Sequence, residues 1–155
     1  MGRVALACLG ITAVLGIAAS RPAGAATPPP SRSALQAFAC DRSSDSLKRM
    51  ISVTAVMRPV SGTKRMAIRF ELQRRRPDDR TFTDVIGKDL GNWIKPPKRT
   101  PPLGQRPGDV WHEIKPVANL SAPAVWRFRV SFRWFGSDQR VLQTVVRLGR
   151  RCNQY

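Results

Sequence analysis

Eleven residues late in the chain, Ala124 to Trp134, constrain the fold more than any other stretch. Trp126, Phe128, Val130, Phe132 and Trp134 occupy every second position, with Arg127, Arg129, Ser131 and Arg133 between them. That period of two belongs to a strand with one buried face. On a helix the same residues would scatter aromatic rings and guanidinium groups around the whole circumference. On a strand, one face is apolar and the other cationic, so a second layer of structure has to cover the aromatic side.

The N-terminal segment stands apart from this pattern. Arg3 precedes an apolar run from Val4 to Ala19, followed by the small-residue site Ala23-Gly24-Ala25. This is the pattern of a secretory signal peptide, and the run is shorter than the roughly 20 residues of a spanning helix. Residues 1–25 are therefore read as the signal and Cys8 as removed with it. Residues 26–34, with Pro28-Pro29-Pro30, form an extended tether, and residues 35–155 form one β domain. Export permits a disulfide. Cys40 and Cys152 sit at opposite ends of the domain, and a bond between them contributes about 4 to 5 kcal/mol on the chain-entropy model.

Weaker alternation marks the other strands. Ile51, Val53, Ala55 and Met57 alternate up to Pro59, and Met66, Ile68, Phe70 and Leu72 resume after the turn residues Ser61-Gly62-Thr63. The two runs suit an antiparallel hairpin with Ile51 opposite Leu72 and Ala55 opposite Ile68. Arg74 to Arg80, with two aspartates and a proline, reads as a solvated turn of offsetting charges. Thr81–Ile86 is a short strand, Trp93 a core plug, Lys95 to Pro107 a proline-rich loop, and Val110–Val117 a further strand. Gly136-Ser137-Asp138 turns the chain into a returning strand, Val141–Leu148. Setting Trp134 opposite Leu142 pairs Phe132 with Thr144, Val130 with Val146 and Phe128 with Leu148. A slip by one residue sends Gln143 and Arg147 towards the core. The preferred register leaves Arg129 opposite Arg147 on the outer face. The expected core is Ile51, Val53, Ile68, Phe70, Leu72, Trp126, Phe128, Val130 and Phe132.

The run Leu120-Ser121-Ala122-Pro123-Ala124-Val125-Trp126 resembles the E to F corner of fibronectin type III and related immunoglobulin-like sandwiches. In those domains a Leu, a Pro and, six residues after the Leu, an aromatic lead into an alternating strand. Leu120 and Trp126 keep the interval, while Pro123 lies one place late. Trp126 stands where Tyr is usual, so the corner hydrogen bond has to come from an indole N–H. The resemblance implies an all-β, antiparallel sandwich of about seven strands, similar to small exported domains of bacterial cell surfaces.

Charge gives the functional direction. The chain carries 27 basic residues against 10 acidic ones, a formal net charge of +17, which favours polyanionic partners. Of the 27, 21 are Arg, a bias that a GC-rich coding composition also produces. For an exported protein the expected partners are anionic wall polymer, lipid headgroups or an extracellular protein rather than nucleic acid. Arg127, Arg129, Arg133 and Arg147 are the candidate anion-binding residues. Their bland alternative is to lie flat and cover apolar surface with their stems. His112 with Asp109 and Glu113 is the nearest approach to a catalytic or metal site, but the spacing fits no metal ligand set, and no Gly-x-Ser-x-Gly turn occurs. No enzyme activity, metal or cofactor is expected. The expected role is a non-catalytic binding or structural module of the cell envelope. The alternative is an inhibitor that presents the loop 95–107 to an extracellular enzyme.

Overall fold

Nine strands form among the residues that the computed structural model describes, 30–98 and 102–155. In chain order they are β1 (Ser33–Asp41), β2 (Met50–Met57), β3 (Arg65–Arg75), β4 (Thr83–Val85), β5 (Trp93–Ile94), β6 (Trp111–Ala118), β7 (Ala124–Phe135), β8 (Val141–Leu148) and β9 (Cys152–Gln154). A 3₁₀ turn, Ser46–Lys48, is capped by the Asp45 carboxylate, which accepts from the Leu47 amide at 3.0 Å. The expected signal peptide and the start of the tether lie outside the described residues. β1 begins at Ser33, two residues inside the expected tether.

The strands make two antiparallel sheets. The smaller has the order β1-β2-β6; the larger runs β4-β3-β7-β8, with β5 also on β3 and β9 also on β7. β7 is the centre of the larger sheet. β3 covers one of its edges from Arg65↔Phe135 to Arg75↔Val125, while β8 and β9 share the other. Its alternating Trp126, Phe128, Val130, Phe132 and Trp134 are all buried, and every other residue expected in the core is buried as well. Phe70 meets Phe128 edge-on, with ring centroids 6.1 Å apart. Two indoles fix the ends of this core. Trp134 Nε1 donates to the Arg58 carbonyl at 2.8 Å, and Trp126 Nε1 donates to the Ser121 carbonyl at 3.0 Å, just ahead of β7.

The two sheets are also joined covalently. Cys40 on β1 of the smaller sheet is bonded to Cys152 on β9 of the larger, with Cα atoms 5.5 Å apart. The bond therefore ties one sheet to the other by joining the first strand to the last. A disulfide of this kind suits an oxidising compartment.

Four expectations are corrected. β2 and β3 do not form a hairpin: β2 pairs with β1 and β6, and β3 with β4, β5 and β7. The segment after Met57 crosses from one sheet to the other, held where the Arg58 amide donates to the Arg32 carbonyl and the Lys64 amide to the Phe135 carbonyl. Alternating apolar residues pack equally well across a sandwich as within one sheet, so the pattern could not separate the two. Second, β8 takes the slipped register, with Trp134↔Gln143, Phe132↔Val145 and Val130↔Arg147, and a bulge before Phe135↔Val141. The slip is cheap because β8 is an edge strand, on which Gln143 and Arg147 remain exposed. Third, Trp93 is half-buried and packs on arginines outside the core. Fourth, the turn begins later than Arg74, since the first two arginines belong to β3; in its exposed remainder Asp79 accepts from the Arg76 amide at 2.9 Å.

Candidate anion-binding face

The pleat of β3 and β7 decides which side chains meet. With Ile68, Phe70, Phe128 and Phe132 turned inwards, cross-strand partners on the outer face are Arg65 and Phe135, Ala67 and Arg133, Arg69 and Ser131, Glu71 and Arg129, Gln73 and Arg127, Arg75 and Val125. Six arginines thus share one face of two strands with a single carboxylate, Glu71. Glu71 bridges two of them: its Oε2 lies 2.6 Å from Arg129 Nη1 and its Oε1 lies 3.2 Å from Arg69 Nη2.

Arg65 stands over Phe135 at 4.3 Å, and most of the other arginines gather around two further rings. Trp93 reaches the face because β5 pairs with β3 through Arg69↔Trp93. The guanidinium carbons of Arg133 and Arg69 lie 4.2 and 5.0 Å from its ring. Ser131 Oγ, opposite Arg69, and the Nε atoms of Arg69 and Arg133 are buried without a hydrogen-bond partner among the described residues. The second ring is Phe82, just ahead of β4. Arg127 stands over it at 3.8 Å, with Arg75 at 5.4 Å and Arg151 at 5.9 Å. Arg127 Nε donates to Gln73 Oε1 at 2.9 Å, and Gln73 in turn donates to Asp84 at 2.8 Å, so the guanidinium is held in orientation by a neutral amide. Burial, then the charges of Arg151 and Arg75, lowers the Arg127 pKa from its ordinary value.

Of the four candidate residues, Arg127, Arg129 and Arg133 lie together on this face. Arg147 does not join them. The slipped register puts it opposite Val130, on the other face of the sheet, and Leu148 takes the place opposite Arg129. Arg65, Arg69, Arg75, Arg151, Phe82 and Trp93 belong to the face although sequence reasoning did not select them. Phe82 carried one signal, being a lone large apolar residue in a polar stretch.

The other candidate residues stay apart. His112 is exposed on β6 and, as a neighbour of Glu113 on one strand, points to the opposite face. Glu113 accepts from Trp111 Nε1 at 3.2 Å, and Asp109 accepts from the amides of Gly104 and Arg106. Among the described residues no group of three potential metal ligands comes together, and no helix is long and apolar enough to cross a membrane. No family model matches the chain, and no curated protein or solved structure is significantly similar to it.

Proposed function

We propose that the chain is an exported, non-catalytic immunoglobulin-like module of the cell envelope that binds an anionic polymer through the outer face of β3 and β7. The observation that carries the reading is the ratio of six arginines to one carboxylate on that face. Outer residues repeat at about 7 Å along a strand and about 4.8 Å between strands. A chain of regularly spaced acidic groups therefore meets several guanidinium forks at once and releases its counterions, whereas a single small anion gains one or two contacts. The contacts with Phe82 and Trp93 support this reading, because each ring gathers guanidinium groups from more than one strand or loop at one place on the face. The disulfide and the leader-like N-terminus support export.

The inhibitor alternative is less well supported, since the described part of the 95–107 loop is anchored to the domain. Leu103 joins the core, and a Cβ on Gly104 would meet Met66 Cγ at 3.1 Å.

Retention of the purified domain on immobilised acidic polysaccharide tests the proposal. Replacing Arg127, Arg129 and Arg133 together by Gln is expected to lower the eluting salt concentration clearly, while Arg147→Gln, on the other face, changes it only by the loss of one charge. Equal shifts per charge removed from the two faces would show that retention follows net charge and that this face has no special part.

A further inference from the structure

Arg75, Arg127 and Arg151 come from three separate parts of the chain, the end of β3, the start of β7 and the residue before β9. They nevertheless converge on one ring, Phe82, at 5.4, 3.8 and 5.9 Å. Among the described residues none of the three makes an ion pair. The π-face of Phe82 offsets part of their repulsion but leaves the outward N–H donors uncommitted, apart from the Arg127 Nε that Gln73 takes. Three like charges held this close, with Asp84 linked to Arg127 only through Gln73 and in no ion pair with any of them, form a strong field for an anion.

A groove of about 460 Å³ opens beside the cluster. Arg75 and Arg151 line it and so stand at the junction of groove and cluster; Pro77, Pro123, Val125 and Tyr155 give it flat apolar walls, and Asn153 adds an amide. The volume falls within the range of small-molecule sites. Walls of this kind suit the C–H faces of a sugar ring, and an amide suits its hydroxyls. Three guanidinium groups match a dianion better than a monoanion, and a phosphomonoester carries close to two negative charges at neutral pH with three acceptor oxygens.

Resting on the proposed anion-binding role of this face, we infer that Arg75, Arg127 and Arg151 bind a phosphomonoester carried by a sugar whose ring lies in the adjoining groove. The site recognises a phosphorylated saccharide unit, and the remaining arginines of the face hold the rest of an acidic polymer.

Calorimetric titration of the domain with glucose 6-phosphate, inorganic phosphate, glucuronate and glucose tests this. Glucose 6-phosphate is expected to bind tightest, with inorganic phosphate weaker because it leaves the groove empty, glucuronate weaker because it carries one charge, and glucose silent. Binding should tighten as pH rises through about 6, where the second phosphate proton leaves. Arg75→Gln with Arg151→Gln is expected to weaken glucose 6-phosphate at least about tenfold while the far part of the face, Arg69, Arg129 and Arg133, still retains the domain on acidic polysaccharide. Phosphate binding as tightly as glucose 6-phosphate would remove the sugar from the inference. Glucuronate binding as tightly would remove the dianion. Titration without heat from any ligand, in a domain still retained by the polymer, would overturn this site alone, and loss of retention as well would overturn the broader reading with it.

Discussion

Arg129 Nη1 lies 2.6 Å from Glu71 Oε2 across the β3–β7 ladder. Arg129 therefore faces a carboxylate on one neighbouring strand and Leu148 on the other, with no arginine directly opposite. The same carboxylate reaches Arg69, so Glu71 sets how much of the face's positive charge is free to act outwards.

Glu71→Gln separates those two effects. The amide keeps an acceptor but loses the charge, and hydrogen bonds to charged groups are worth more than neutral ones. With both arginines partly exposed, the expected loss of stability is only about 1 to 2 kcal/mol. Retention on acidic polysaccharide should move to higher salt, because two guanidinium groups are released. Earlier elution of the folded variant would mean that Glu71 is needed to hold the arginines in a binding posture.

The disulfide makes a second, independent demand. Since Cys40 and Cys152 lie on different sheets, replacing both by Ala frees the two ends of the domain together. Urea unfolding should show a loss of up to about 4 to 5 kcal/mol, the chain-entropy value for a loop of this length. The native protein should have neither thiol open to alkylation. A loss below about 1 kcal/mol would show that the aromatic core holds the sheets without the bond.

How far the sequence disclosed this arrangement depended on whether a residue's neighbours left a periodic mark. β7 was legible because five large apolar side chains at period two admit one face and one layer partner. β1 was not, because a bulge between Gln36 and Ala39 breaks its alternation. Leu35, Phe38 and Cys40 all pack towards the core, although their spacings of three and two match no single period. The outer face was legible only in part. Arg127, Arg129 and Arg133 follow from the pleat of one strand, but Arg69 and Arg75 join them through strand pairing and Arg151 through its place just before β9, neither of which local pattern encodes. Arg147 was misplaced for the complementary reason: an edge strand with little core contact carries no apolar signal strong enough to fix its register.

The two buried indoles give a graded test of the core. Trp126→Phe removes the donor to the Ser121 carbonyl at the strand corner, and Trp134→Phe removes the donor to the Arg58 carbonyl where the chain crosses between sheets. Both indoles are buried, but Arg58 is half-buried where Ser121 is exposed, so the second substitution leaves the more isolated carbonyl. Expected costs are about 1 to 2 kcal/mol at Trp126 and about 2 to 4 kcal/mol at Trp134. Chemical denaturation of both variants checks the order, and a reversed order would show that the corner bond matters more than the crossing.

The arginine cluster around Phe82 makes an unusual prediction about salt. Burial, then Arg151 and Arg75, lowers the Arg127 pKa, so its charged form is less favourable in the folded chain than in the unfolded one. Such a group gains stability only as pH rises through the lowered pKa towards the ordinary arginine value, where the unfolded state holds the extra proton. Arginine stays charged at neutral pH, so this cluster contributes a constant destabilisation there and no slope with pH. Screening can relieve its electrostatic part. Between about 0.1 M and about 1 M NaCl the Debye length falls from about 10 Å to about 3 Å, and the melting temperature of the domain should rise. Arg151→Gln removes one of the two repelling charges and should begin from a higher melting temperature with a shallower salt dependence. A lower melting temperature in that variant would show that stacking on Phe82 outweighs the repulsion, and that the three guanidinium groups are held together by the ring rather than against one another.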